Sequence, residues 1–253
     1  MNTESKNVPN NEGAPQKERP QLLIDVFTLT GHPGTGKTAT VGSLSRLLYI
    51  PRSRIFQAGE EFRKLIRKDT GHEVLDFAER EVELDIKLDS RMTEFMQNST
   101  ETGLAIAEGR LAGWIAKKLV GNEIAGKRPP NIISILLEAD EEIRAQRVLK
   151  RDRKKNPNLT IEEVREKITN RAARDLEQWR KAYPELANID PLNPNLLDQN
   201  GKRVYDLVID TDYLKVSEVV GTIYNYLLEN QLVSMRTEES LTLSTKGQIF
   251  PDP

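Results

Sequence analysis

The sequence predicts an α/β fold, a five-stranded parallel sheet with helices on both faces. Two observations predict it. Short runs of strand-forming residues alternate with stretches of helical period, the order that lays crossover helices against a parallel sheet. The run Ile132-Ile133-Ser134-Ile135-Leu136-Leu137 is almost continuously apolar, as a strand buried on both faces must be. With 253 residues the chain is long enough to bury one sizeable core.

Taken in order, residues 1–20 hold three prolines, several Asn and Glu, and Val8 as their one branched aliphatic side chain. That composition predicts a disordered tail. Strands are expected at 24–30, 54–57, 104–108, 131–137 and 205–210, each bounded by Gly, Pro, Asn or Asp. Helices are expected at 37–48, 60–69, 73–98, 111–121, 140–153, 161–183 and 215–229. The helix from 161 opens on Thr160-Ile161-Glu162-Glu163, the spacing of a capping box, and repeats Val164, Ile168, Ala172, Leu176, Trp179 and Tyr183 at three- and four-residue steps. One domain is expected over 21–233. Residues 234–253 read as a polar appended tail, in which Leu241, Leu243, Ile249 and Phe250 are the groups able to dock weakly.

Composition removes several function classes. The formal net charge is −2, less basic than a general nucleic-acid binder requires, so no nucleic-acid partner is expected. There is no cysteine, which excludes disulfides and thiolate metal sites. With only His32 and His72, a His-rich metal site or a Ser-His-Asp triad is not expected. No apolar run reaches the length of a membrane span and the N-terminus lacks the apolar core of a signal peptide, so the expectation is a cytoplasmic protein without a membrane partner. Oligomeric state is left open.

Residues 31–38, Gly-His-Pro-Gly-Thr-Gly-Lys-Thr, fit G-x-x-x-x-G-K-[ST] in full, and they follow the strand-forming Val26-Phe27-Thr28-Leu29. This is the pattern of a phosphate-binding loop at a strand-to-helix turn. Gly31, Gly34 and Gly36 permit tight or left-handed backbone and bring amide N–H groups to phosphate oxygens. Lys37 sets a charge beside the outer phosphates of a nucleoside triphosphate. Thr38 offers a hydroxyl to Mg²⁺ at a helix N-terminus. Thr35 completes the loop, with His32 and Pro33 as filler positions and His32 not a base.

Two further segments sit where a strand should hand over to a helix. Gln57-Ala58-Gly59-Glu60-Glu61-Phe62-Arg63 is one, and Glu108-Gly109-Arg110-Leu111-Ala112-Gly113 is the other. Ligands of open α/β sheets bind beyond the strands' carboxyl ends. Gly59, Arg63, Gly109 and Arg110 are therefore expected to bind a second phosphate-bearing substrate, with Glu108 near a Mg²⁺-bound water. Charge is uneven as well. Residues 144–181 carry 13 Lys/Arg and 6 Asp/Glu, a local +7, whereas 60–101 carry 7 and 12, a local −5. Two basic helices joined by Lys154-Lys155-Asn156-Pro157-Asn158 read as a lid over phosphates, with Arg151, Arg153 and Arg171 as catalytic cations beside Lys37.

From Phe27 to about Leu228 the chain resembles cytidylate kinases of the short, archaeal type, in the nucleoside-monophosphate kinase group of P-loop NTPases. The residues that carry the likeness are 31–38, 58–63, 108–114 with Trp114, and Leu137-Glu138-Ala139 through Arg144, Arg147 and Arg151. Arg171, Arg180, Tyr183 and the run Tyr205-Asp206-Leu207-Val208-Ile209-Asp210-Thr211 add to it. Gln57 departs from the small hydroxyl residue usual there, and 184–204, with Pro184, Pro191 and Pro194, is longer and looser than that group's pattern. The resemblance implies a three-layer P-loop NTPase fold with the first strand central, a helical monophosphate-binding subdomain at 60–101 and a lid at 144–181. It implies phosphoryl transfer from ATP, with Mg²⁺, to CMP or dCMP. Adenylate or another monophosphate as acceptor, and a non-catalytic ATP-binding regulator, stay open at the level of sequence.

Overall fold

The computed structural model describes residues 21–70, 82–120 and 128–234. The expected tail 1–20, nearly all of 234–253, His72 and the first part of the helix expected at 73–98 lie outside the described residues.

Five strands form the parallel sheet: β2 (Val26–Thr30), β3 (Ile55–Gln57), β4 (Ala105–Glu108), β5 (Ile132–Glu138) and β6 (Leu207–Asp210). Their order is β3-β4-β2-β5-β6, so the strand feeding the phosphate loop is central, as expected. The side-chain period of two separates two cores. On one face Val26, Ala107, Ile132 and Leu136 pack under α2 (Ala58–Thr70), α3 (Val82–Thr102), α4 (Ala112–Leu119) and α6 (Ile161–Ala182). On the other, Phe27, Leu29, Ile106, Ile133, Ile135 and Leu137 pack under α1 (Lys37–Leu47) and α7 (Val216–Glu229). In β2 every residue is buried, and in β5 all but Glu138 are.

A small antiparallel pair, β1 (Gln21–Leu22) with β7 (Val233–Ser234), joins the two ends of the domain. It escapes the sequence because two-residue strands carry no period. The expected capping box is present: Thr160 Oγ1 accepts from the Glu163 N–H at 3.2 Å and Glu163 Oε2 accepts from the Thr160 N–H at 2.8 Å. The basic hairpin of α5 (Glu141–Asp152) and α6 closes on an apolar cluster of its own, Ala145, Val148, Val164 and Ile168.

One expectation is corrected. Residues 184–204 are not loose. Leu186, Leu192, Val204 and Tyr205 are buried, the Tyr205 hydroxyl donates to the Pro191 carbonyl, and Asp190, Asn193 and Asp198 accept from backbone N–H groups two residues on. The prolines and Asx turns shape a packed connection in which side chains replace regular ladders.

Candidate active site

The phosphate loop spans the carboxyl end of β2 and the first turn of α1. Gly34 sits at φ +91°, and a Cβ there would come within 2.7 Å of the Arg144 carbonyl oxygen. Glycine thus meets both a left-handed backbone and the close approach of α5. Gly36, also at φ +91°, caps α1 with no side-chain hydrogen bond, and a Cβ on it would meet no protein atom within 4 Å. The helix start therefore opens toward the cleft, where its N–H groups and dipole favour an anion.

Lys37 is buried, and its Nζ donates to the carbonyls of Gly31 at 2.6 Å and His32 at 2.9 Å. Burial lowers its pKa to about 8; Glu108 pulls the other way, and the guanidinium groups of Arg110, Arg171 and Arg144 add to the lowering. His32 is held at about 4 by burial and by Arg144, so it is neutral at neutral pH. Thr35 is buried, and its hydroxyl donates to the His32 carbonyl at 2.9 Å, bracing the loop.

A second brace comes from Arg147, which the sequence marked only among the residues that carry the family resemblance. Its guanidinium donates to Thr211 Oγ1 at 2.9 Å, the Asp212 carbonyl at 3.2 Å and the Gly34 carbonyl at 3.4 Å, and also to the Thr211 carbonyl. Thr211 in turn donates to the Glu138 carbonyl at 2.8 Å. One side chain so ties the phosphate loop, α5 and the end of β6 together.

A cleft of about 590 Å³ runs from this loop across the strand ends. It is lined by Pro33, Gly34, Gly36, Lys37 and Thr38 at one end, and by Gly59, Arg63, Glu108, Gly109 and Arg110 at the other, with Arg151 and Arg171 above. Register explains the convergence: Glu108 stands beside Leu29 and Gln57, so β4, β2 and β3 end level. Gly31, His32 and Thr35 lie in the loop itself and do not line the cleft.

Arg153 is a second departure. α5 ends at Asp152, and the Arg153 Nε–H is committed to the Leu159 carbonyl at 3.0 Å within the hairpin turn, away from the cleft. Arg151 reaches the cleft edge while its Nε–H donates to Asp152 Oδ1 at 2.7 Å. Arg110 forms an ion pair with Asp175 of α6, both side chains nearly buried, and its guanidinium carbon lies 5.4 Å from the centre of the Trp179 ring. Asp85, Asp89, Met92, Arg147 and Trp179 line the cleft too, and none was singled out as a site residue from sequence. The available signal was positional: Asp85 and Asp89 occupy the stripe of Leu88, Met92 and Met96, where an ordinary helix keeps apolar side chains.

A family profile described as AAA domain matches residues 28–170. A cytidylate kinase of Pyrobaculum islandicum is 32% identical over 205 residues, covering 80% of this chain and 92% of the relative. The chain belongs to the archaeal-type cytidylate kinases. A cytidylate kinase of Pyrobaculum neutrophilum is 31% identical over 202 residues, covering 80% of this chain and 92% of its own length. Among solved structures, a shikimate kinase from Acinetobacter baumannii matches with 20% identity and a TM-score of 0.44, covering 83% of this chain and 96% of that one. Membership of the family makes the chain a phosphotransferase of the nucleoside-monophosphate kinase group, and its loop, its level strand ends and its cationic cleft are the parts such transfer uses.

Proposed function

We propose that the protein transfers the γ-phosphoryl group of ATP to CMP or dCMP, giving the nucleoside diphosphate and ADP. The observation that carries this reading is the second guanidinium wall. Arg63 and Arg110 follow two strands other than the one feeding the phosphate loop, yet they line the same cleft as Lys37 and Thr38. A protein that only binds ATP has no use for that wall.

The α1 N-terminus, the loop N–H groups and Lys37 would bind the β- and γ-phosphates of ATP. Arg63 and Arg110 would hold the acceptor phosphate in line. Its second pKa is about 6, so at neutral pH it is already an anionic nucleophile and needs no general base. An acceptor oxygen bonds to the γ-phosphorus, and the bond from that phosphorus to the β–γ bridging oxygen breaks, the electron pair leaving with ADP. Lys37, Arg151 and Arg171 would stabilise the equatorial oxygens, with α5 and α6 closing over them to exclude water.

The donor set suits Mg²⁺. Thr38 is exposed at the cleft and Glu108 lines it, while no group of three or more His, Cys, Asp or Glu that could hold a metal occurs among the described residues. That matches an ion held mainly by phosphate oxygens and water, with one hydroxyl from the protein and Glu108 on a bound water. When bound, the ion neutralises charge on the transferring phosphates. A coupled ADP-release assay over a panel of monophosphates and small hydroxyl acceptors tests the reading. Turnover with CMP or dCMP is expected, and turnover with hydroxyl acceptors alone would refute it.

A further inference from the structure

We infer that Arg52 is a positioning residue for the acceptor: it draws the Glu60 carboxylate away from Arg63 and neutralises it, which keeps Arg63 open to the acceptor phosphate. The inference rests on the kinase reading above and names a residue that this reading does not use.

Glu60 stands in the first turn of α2, between Gly59 and Arg63, and lines the cleft with both. The Arg63 guanidinium comes within 3.7 Å of where a Cβ on Gly59 would stand, so it lies over the start of the helix. A carboxylate at this place is a rival of the acceptor phosphate. It has the same sign, and the N-terminus of α2 favours it for the same reason. Side chains three residues apart on a helix are neighbours, so a Glu60 left to itself would close on Arg63.

The structure shows it drawn elsewhere. Glu60 also lines a second cavity, of about 470 Å³, which it shares with Arg52, Glu61, Lys64 and Arg91 and not with Arg63. There its carboxylate pairs with the Arg52 guanidinium and lies 3.4 Å from Lys64 Nζ. Neither Arg52 nor Lys64 lines the acceptor cleft. Arg52 is itself fixed, since it sits in the 3₁₀ turn before β3 and its Nη1 donates to the Ile55 carbonyl at 2.7 Å. Glu61 is held in the same cavity by Lys64 at 2.6 Å, with Arg91 at 3.8 Å. Burial pushes the Glu60 pKa up, but Arg52 and Lys64 outweigh it and hold the carboxyl below its usual range. Glu60 is therefore charged at neutral pH, and where its charge points matters to a phosphate nearby. An exposed ion pair adds little to stability, so this one acts chiefly through where it leaves the carboxylate.

The test measures kcat, the KM for ATP and the KM for the monophosphate that the panel above shows to be used best. The proteins are the wild type, Arg52→Ala, Glu60→Gln and the double variant, at low ionic strength. Arg52→Ala should raise the monophosphate KM about three- to fivefold, the scale of one partly exposed charge, with kcat and the ATP KM within about twofold. Glu60→Gln should not raise it. The double variant should return to the Glu60→Gln value, because no carboxylate is left to hold back. Raising the salt to about 0.5 M should shrink the loss in Arg52→Ala relative to wild type. An unchanged monophosphate KM in Arg52→Ala would overturn the inference and leave the kinase reading standing. So would a raised KM that Glu60→Gln does not relieve, which is what the loss of a purely structural contact gives. Transfer to no monophosphate by the wild type would overturn both. The Arg52 side chain is 56% exposed, so its truncation should leave the fold intact, and circular dichroism of the four proteins checks this.

Discussion

Arg110→Ala removes the guanidinium that pairs with Asp175 of α6. The Arg110 and Asp175 side chains are 14% and 6% exposed, so the pair is shielded from water and weakly screened. Taking away one partner of a buried pair typically costs about 3–5 kcal/mol, because the other charge keeps its desolvation penalty and loses its compensation. The contact of the guanidinium with the Trp179 ring is lost as well, worth about 1 kcal/mol and counted within that range. For a chain of this size each kcal/mol moves Tm by about 2–4 °C, so a fall of roughly 6–20 °C is expected. Asp175→Ala should do similar damage, and the double variant should be more stable than the sum of the two losses predicts. Thermal unfolding followed by circular dichroism, without nucleotide, reads all four proteins. A Tm for Arg110→Ala within about 2 °C of wild type, or strictly additive losses, would refute the reasoning. The same variant should lower kcat/KM for the monophosphate sharply with little change in ATP affinity. Calorimetry showing lost ATP binding and intact monophosphate binding would assign Arg110 to the donor instead.

Lys37 gives a pH prediction. Its pKa, about 8 in the nucleotide-free protein, lies below the ordinary lysine value, so the uncharged form grows as pH rises through 8, and bound phosphates should restore the charge. At pH 8.5 ATP binding should take up roughly three-quarters of a proton at this site, read from the buffer dependence of the calorimetric enthalpy, and almost none at pH 6.5. The same lowering means that folding pays for this buried charge below about pH 8 and sheds the cost between there and pH 10.5, so this group alone makes stability rise over that window. Lys37→Ala should cut turnover by about 10²–10³, and near-native turnover would contradict the proposed transfer. Arg147→Ala should cost about 2 kcal/mol and weaken ATP binding, since it frees the phosphate loop from β6; unchanged ATP affinity would reduce the clamp to scaffolding. Hydrogen exchange across 148–176 should slow on adding a bisubstrate analogue, and Arg151→Ala should lower kcat more than ATP affinity. Equal protection with unaltered kcat would leave the hairpin an ordinary surface.

Much of this fold is legible in the amino-acid sequence. The five strands, and the helices over the described residues, lie within a few residues of their expected places, the start of the helix expected at 73–98 lying outside the described residues, because each is marked locally, by a run of β-branched residues, a helical stripe or a turn signal at its ends. The capping box at Thr160 and Glu163 is a contact across three residues, so its spacing alone reveals it. The phosphate loop is equally local: eight consecutive residues carry its glycines, its cation and its hydroxyl, and the chain on either side supplies the strand and the helix.

Other features have no local mark. Arg110 and Asp175 are far apart in sequence and meet only because the fold brings α6 beside the turn that follows β4. Arg147 clamps Gly34 to Thr211 because the β2, β5 and β6 ends stand side by side. Asp85 and Asp89 were absorbed into the net charge of 60–101, whereas in the fold they turn inward and their acidic neighbours do not all follow. Arg153 went the other way: its charge suited the lid, but the end of α5 one residue earlier gave its Nε–H to a backbone carbonyl. Sequence by itself determined the elements and the phosphate loop, since periodicity, turn chemistry and a contiguous motif act over a few residues. Which charges face each other, and across which cleft, was decided by the tertiary structure, since burial and pairing depend on distances that only the packing of distant helices against the sheet establishes.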